Sequence, residues 1–550
     1  MVRSVVTFAA LFLLSMCNLC RGGNGDESPF LDMTHVFKEG ETIGLPTANQ
    51  YTLSPEFAGF TEGGYYYEAN NYCVDEHSGT HIDAPGHLVE GMSYVDEIPL
   101  DMLIGPAVKI DIKDKGDVDP DAQLMVDDLL SWEEANGEIP DDVILMVYTG
   151  WGSRWPDKER YLGTATNDMT MLHFPGVHPN ASQWLVDNRK IKMLGIDTAS
   201  LDYGPAVLYE SHTILFKSNI PVLKNVAELD KLPTLGSTVF ALPMKLFNGT
   251  GAPTRIFATG WSDDVKEPCQ IAAKSEESPF LDMSYSFIEG ETIYWPTADP
   301  YVREAGSSVN RDGYYFETNS FCAAEHGGTH FDAPGHFAEN KQRVHQVPLD
   351  SLIGPAIKVD ISSKAANDPD AEVTVDDITQ WEEENGPIPD GAILLMYSGW
   401  GQRWPDKLTY LGTEGKNTSI LHFPGFSPDT ARWLIANKKI RAVGVDTPSI
   451  DFGQSRLYES HQLLFANNIP GLENVGNLDK LPAKGSFFFA VPMKIYNGSG
   501  ASTRMFATGW SQNIDNPCEE VDISGANPLT IGLIPVVMCV LLKAYLLLVC

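Results

Sequence analysis

His77-Ser-Gly-Thr-His81-Ile-Asp83-Ala-Pro-Gly-His87 recurs downstream as His326-Gly-Gly-Thr-His330-Phe-Asp332-Ala-Pro-Gly-His336. Three imidazoles and a carboxylate so close together, and repeated, form a ligand set for a divalent ion. A lone histidine is more often structural, and a hydrogen-bonded loop is the alternative reading. Mixed nitrogen and oxygen donors suit zinc or manganese, whereas an all-oxygen set would suit calcium or magnesium. Gly79, Pro85 and Gly86 interrupt any single helix, so the donors must converge through a strand or turn that curls around the ion. Three nearby ligands leave room for water.

Working outward, Ser28-Pro-Phe-Leu-Asp-Met33 recurs as Ser278-Pro-Phe-Leu-Asp-Met283, a shift of 250, while the histidine motifs and Trp261/Trp510 are shifted by 249. One residue is therefore lost in the loop around Tyr51 to Glu62. The chain reads as a domain duplicated in tandem: residues 26–270 and 276–520, preceded by a signal peptide (1–23) and followed by a hydrophobic segment (524–550). Within the first copy, Ala107–Ile112, Val143–Tyr148 and Lys192–Asp197 have the apolar runs of strands. Val126–Asn136 and Asn180–Asn188 read as helices opening near acidic or Asn-type caps. Strands outnumber helices, and the class is mixed α/β.

The 550 residues carry a formal charge of -36 and a pI near 4.6, which leaves no basic face for nucleic acid. Arg3 followed by the apolar run Val5–Met16 and small or polar residues at 21–25 describes a cleavable secretory signal. Leu529–Cys550 is apolar, and the small residues Ser524, Gly525 and Ala526 before it suggest a glycosylphosphatidylinositol anchor signal, with a C-terminal transmembrane helix as the alternative. Both readings tether the protein to the extracellular face of the membrane. Asn180, Asn248, Asn417 and Asn497 stand in glycosylation triplets, which implies exposed loops there. Cys73, Cys269, Cys322 and Cys518 are also repeat-related. They allow three pairings, and independent folding of the copies favours Cys73 with Cys269 and Cys322 with Cys518.

The His-x-Gly-Thr-His-x-Asp-x-Pro-x-His motif resembles that of the metal-dependent cyclase family, which includes bacterial-type kynurenine formamidases and isatin hydrolases. Leu172-His-Phe-Pro-Gly176, Gly195-Ile-Asp-Thr198 and Ser211-His212 through Ile220-Pro221 extend the likeness almost end to end, as do their counterparts. The resemblance implies a swivelling β/β/α fold and hydrolysis of a small-molecule amide or formamide bond. It further implies that His77, His81 and Asp83, like His326, His330 and Asp332, hold a first ion, with His87 and His336 as proton carriers or as further ligands. In two-ion members the Asp bridges to a second ion held by a downstream His and a Glu twelve residues later. His212 and His461 match that His, and Glu473 matches the Glu, but the first copy has Lys224 instead. A unit charge about 5 Å from a divalent ion, at an effective dielectric near ~20, interacts by roughly 6 to 7 kcal/mol. An ammonium there should empty a second site or stand in for its ion by pairing with Asp83; the alternative is a lysine pointing to solvent. Family members are commonly dimers, so the copies are expected to form an internal pseudo-dimer or to support a homodimer.

Neither a Gly-x-Ser-x-Gly elbow nor a phosphate-binding Gly-x-x-x-x-Gly-Lys loop is present, so serine-hydrolase and nucleotide readings lack support. A catalytically silent extracellular metal-containing binding protein is the competing reading, and metal storage or sensing has no dedicated feature. Trp151, Trp155, Trp400 and Trp404 suit either substrate stacking or core packing. For His173 and His422, pocket and core are both open.

Overall fold

The computed structural model describes residues 28–262, 278–308 and 315–510. The signal segment, the anchor segment, Cys269 and Cys518 lie outside these residues. Among the described residues no helix is long and apolar enough to cross a membrane.

Each copy is built on a sheet that closes on itself. In the first, the order runs Leu31–Asp32, Gly251–Thr259, Thr238–Pro243, Ile104–Asp111, Ile144–Tyr148, Met193–Ile196, Val222–Lys224 and His81–Asp83, and the last strand pairs back onto Gly251–Thr259. The second copy repeats the plan, its short strand His330–Asp332 lying between Gly471–Glu473 and Gly500–Thr508. The middle strands are parallel and read as unbroken apolar runs because both faces are covered. Ile144, Leu145, Met146 and Val147 are all fully buried. Helices Val126–Asn136, Pro179–Asn188 and Glu210–Lys217 cover the outer face, where Leu129, Leu185 and Leu215 pack against Val108, Leu145 and Leu194. The first of these helices is held at its start by the Asp128 carboxylate, which accepts from Met125 N–H at 2.7 Å, and stops at Gly137, whose φ of 93° is costly for any other residue.

The inner faces of both copies merge into one hydrophobic core. Phe240 and Phe257 of the first copy stack at 4.6 Å between ring centres, Phe489 and Phe506 of the second at 4.3 Å, and Phe240 meets Phe489 at 5.7 Å. Lys494 pairs with Asp32 at 2.7 Å and Lys245 with Asp282 at 2.8 Å, the same contact made twice across a pseudo-twofold. A four-stranded sheet formed by Thr52–Phe60, Tyr66–Asp75, Val302–Ser308 and Glu317–Ala324 also joins the copies. The segment read as a loop around Tyr51 is therefore mostly a strand, and the one-residue difference between the copies falls within these hairpin arms, where Thr52 and Val302 both still face a cysteine.

Those cysteines correct the expected pairing. Cys73 and Cys322 face each other across the arm sheet and form a disulfide, so the bridge joins the repeats instead of closing each one. Independent folding was the premise of the other pairing. It fails because each arm crosses to the other copy. The four glycosylation asparagines are all exposed.

Candidate metal centres

The short strand His81–Asp83 places His81 and Asp83 on one face and sends Ile82, fully buried, into the core. Because that strand pairs antiparallel with Val222–Lys224, residue 224 lies directly across from His81. The same register sets Glu473 across from His330. Gly79 precedes the strand at φ +64°, and a Cβ there would lie 2.6 Å from the Phe37 ring. Its carbonyl accepts a hydrogen bond from His81 Nδ1 at 2.8 Å, as that of Gly328 does from His330 Nδ1 at 3.0 Å. Both rings thereby turn Nε2 toward the site.

His212 and His461 enter from helices Glu210–Lys217 and Glu459–Ala466. Each donates Nδ1–H to a buried aspartate, Asp202 or Asp451, which also accepts from the histidine's own backbone N–H. These aspartates lie ten residues before their histidines, a spacing that could have marked them in the sequence.

In the second copy the donors close around Asp332. His326 Nδ1 is 2.7 Å and His330 Nε2 3.2 Å from Asp332 Oδ1, while His461 Nε2 is 3.4 Å from Oδ2. Glu473 brings one oxygen to 3.3 Å from His330 Nε2 and the other to 3.2 Å from His461 Nε2. His330 Nε2 is buried without a hydrogen-bond partner. With Nδ1 protonated, Nε2 is an acceptor facing carboxylate acceptors, an arrangement that is stable only with a proton or a cation between them. The donor set therefore fits divalent metal, and the ligand atoms form two groups that share Asp332: His326, Asp332 and His336, and His330, Asp332 and Glu473.

The first copy has one such group among the described residues: His77, Asp83 and His87. His81 Nε2 and His212 Nε2 again point inward, at 3.2 and 3.5 Å from Asp83, and both lack hydrogen-bond partners. Here, however, the Lys224 ammonium is buried and pairs with Asp83. The lysine does not point to solvent.

The electrostatics follow that substitution. Burial opposes charge on His330, but Asp332 and Glu473 push its pKa up to about 10, and His461 is likewise held high by Asp332, Asp451 and Glu473. Burial lowers His81, and Asp83 only partly offsets that and the Lys224 charge. Asp83 and Asp332 are both held well below the usual carboxylate range despite burial, the first chiefly by Lys224 and the second by His326 and His330.

His87 lies tilted against His77 with ring centres 4.0 Å apart, and His336 stacks on His326 at 3.7 Å. Each donates Nδ1–H to a backbone carbonyl of the opposite copy, Glu317 for His87 and Glu68 for His336. Burial lowers both. Their position within the ligand groups serves a ligand as well as a proton carrier.

A cavity of about 250 Å³ opens over the second centre and one of about 290 Å³ over the first. The walls are shared between copies: Tyr65 and Tyr67 of the first copy line the second cavity, and Phe316 and Asn319 of the second line the first. This exchange could not be read from the motifs. Trp151 and Trp400 are core residues under Arg154 and Arg403, while Trp155 and Trp404 stack on His35 and Tyr285. His173 and His422 fit neither reading, being half-exposed and paired with Asp121 and Asp370.

The family model described as "Putative cyclase" matches residues 31–203 and 281–452. An isatin hydrolase of Roseibium aggregatum is 36% identical over 209 residues, 36% of this chain and 78% of that protein. A kynurenine formamidase of Bacillus cytotoxicus is 26% identical over 229 residues, 41% of this chain and 96% of its own length. Among solved structures, isatin hydrolase A from Labrenzia aggregata is 31% identical, covers 42% of this chain and 94% of its own, and superposes with a TM-score of 0.39. The family match falls once on each repeat and spans more than half of the sequence, and the chain belongs to the cyclase family as two tandem copies.

Proposed function

We propose that the protein is a metal-dependent hydrolase of small-molecule amide or formamide bonds, with zinc or manganese as its ion, and that the second copy carries most of the activity. The observation that carries this reading is the convergence of His330, His461, Asp332 and Glu473, with the unpaired Nε2 of His330 and the Nε2 of His461 both turned toward carboxylates. Isatin hydrolase and kynurenine formamidase among the relatives support the reaction class.

A divalent ion held by this set would activate water at neutral pH and polarise the scissile carbonyl. The chain's own residues do the rest. His336, fixed by the Glu68 carbonyl with Nε2 free, is placed to take a proton from water and return it to the leaving nitrogen. Tyr65, Tyr67, Trp295, Phe337 and Tyr458 line an aromatic slot that orients an aryl amide and limits water. In the first copy Lys224 takes the place of a second cation, leaving at most a one-ion centre. That substitution favours partial silencing of this copy.

We also place the protein in the secretory pathway, tethered at the extracellular face of the membrane. The Cys73–Cys322 bridge and the exposed Asn-x-Ser/Thr sites support that reading. Chelation of the purified protein should abolish turnover of an aryl formamide, and manganese or zinc should restore it. Turnover by verified metal-free protein would refute the mechanism.

A further inference from the structure

Beside the first metal centre lies a second cavity of about 360 Å³, sharing Leu45, Ser200 and Tyr209 as a common wall with the cavity over the ion ligands. Its apolar lining comes from Met169, Leu172, Phe174 and Val207, and Asp202 stands in the same wall. In the second copy a larger ring stands at the boundary of the corresponding space. Trp295 stands where the first copy has Leu45, and its indole packs against Phe423 and Tyr458 at 6.3 and 6.2 Å. Phe174 and Tyr209 are the counterparts of those two rings and line the outer cavity of the first copy, whereas Trp295 and Tyr458 line the cavity over the second metal centre.

The rim differs in the same sense. Arg456 donates to the carbonyls of Thr418 and Ser419, and Gln454 to that of Leu421, which pins the outer loop of the second copy in place. Their counterparts are Val207 and Pro205, which make no such bonds, and Val207 is 80% exposed. On the common wall, Ser200 is 4% exposed, and its hydroxyl is buried without a hydrogen-bond partner. A buried hydroxyl in that state is available to a polar atom, of water or of a ligand, in the cavity.

We infer that the first copy binds an aliphatic amide whose polar head lies beside Ser200 and the ion ligands and whose unbranched alkyl chain runs past Leu45 into the outer cavity. The two copies then differ in substrate class: a compact aryl amide in the second, a chain-bearing amide in the first. This rests on reading the first metal pocket as a ligand site, but it does not require that copy to turn the ligand over.

The test is binding of straight-chain primary amides, acetamide to octanamide, to the full chain as purified, followed by ligand-observed NMR. Burial of each methylene should tighten binding about fourfold until the cavity is full. Leu45→Trp, which restores the residue type of the second copy, should abolish the dependence on chain length. Val207→Arg, at an exposed position that tolerates change, should weaken it several-fold. Affinity that does not vary with chain length, or a dependence untouched by both variants, would overturn the inference. If the dependence holds while no aryl formamide is hydrolysed, the inference stands and the hydrolase reading fails.

Discussion

His81 and His330 occupy the same position in the two copies, each hydrogen-bonded through Nδ1 to a glycine carbonyl, yet their protonation is driven in opposite directions. The ring environments match, and Asp83 and Asp332 are equally buried. The difference comes from one residue across the strand, Glu473 in the second copy and Lys224 in the first. Two carboxylates and two imidazole nitrogens without a built-in cation make a centre that demands one. An ammonium in place of one carboxylate satisfies the charge from within, at the expense of an ion. Duplication has thus kept the fold while separating the electrostatics of its two sites.

Removing the shared carboxylate should break the comparison most sharply. Asp332→Asn is expected to lower turnover of an aryl formamide by about a thousandfold, since the ion supplies several kcal/mol of transition-state stabilisation. Asp83→Asn should change the same rate by less than about twofold if the second copy does most of the work. Comparable losses from the two variants would show the copies to be equal. In Lys224→Met, the buried Asp83 carboxylate loses its ammonium, and chemical denaturation should show a loss of about 3 to 5 kcal/mol unless an added divalent ion restores it. Glu473→Met should not be rescued in the same way, because it removes a ligand.

The arm sheet supplies two smaller tests. Cys73→Ser should lower stability by about 2 to 4 kcal/mol, and peptide mapping of the unreduced wild type should recover a Cys73–Cys322 link. Tyr67→Ala, a change in the first copy, should reduce turnover at the second centre by about tenfold, the size expected for a lost aromatic wall. A loss confined to the first centre would contradict the exchange of arms.

The motif histidines and aspartates, the tandem repeat and the main strands and helices were legible because each is a local pattern: alternation along a strand, caps at a helix start, donors a few residues apart. Even the Lys224–Asp83 pair could be anticipated, since a charge matched to a ligand position has few places to go. What stayed hidden depends on how the copies cross. Equal shifts of 249 relate Cys73 to Cys322 as well as to any intra-copy scheme, and only the antiparallel meeting of the arms decides the partner. For the same reason Tyr65, Tyr67 and Phe316 could not be assigned to the opposite cavity from their own sequence context. The Trp-Pro segments carried no distinguishing mark: an indole in a core and an indole on a substrate look alike until burial is known.

Counting ions in paired charge-swap variants tests the central claim most directly. Metal analysis of the full chain should find one more ion on the second copy than on the first. Lys224→Glu should add an ion to the wild-type count, and Glu473→Lys should remove one. A wild-type count shared equally between the copies and unmoved by either swap would contradict the account.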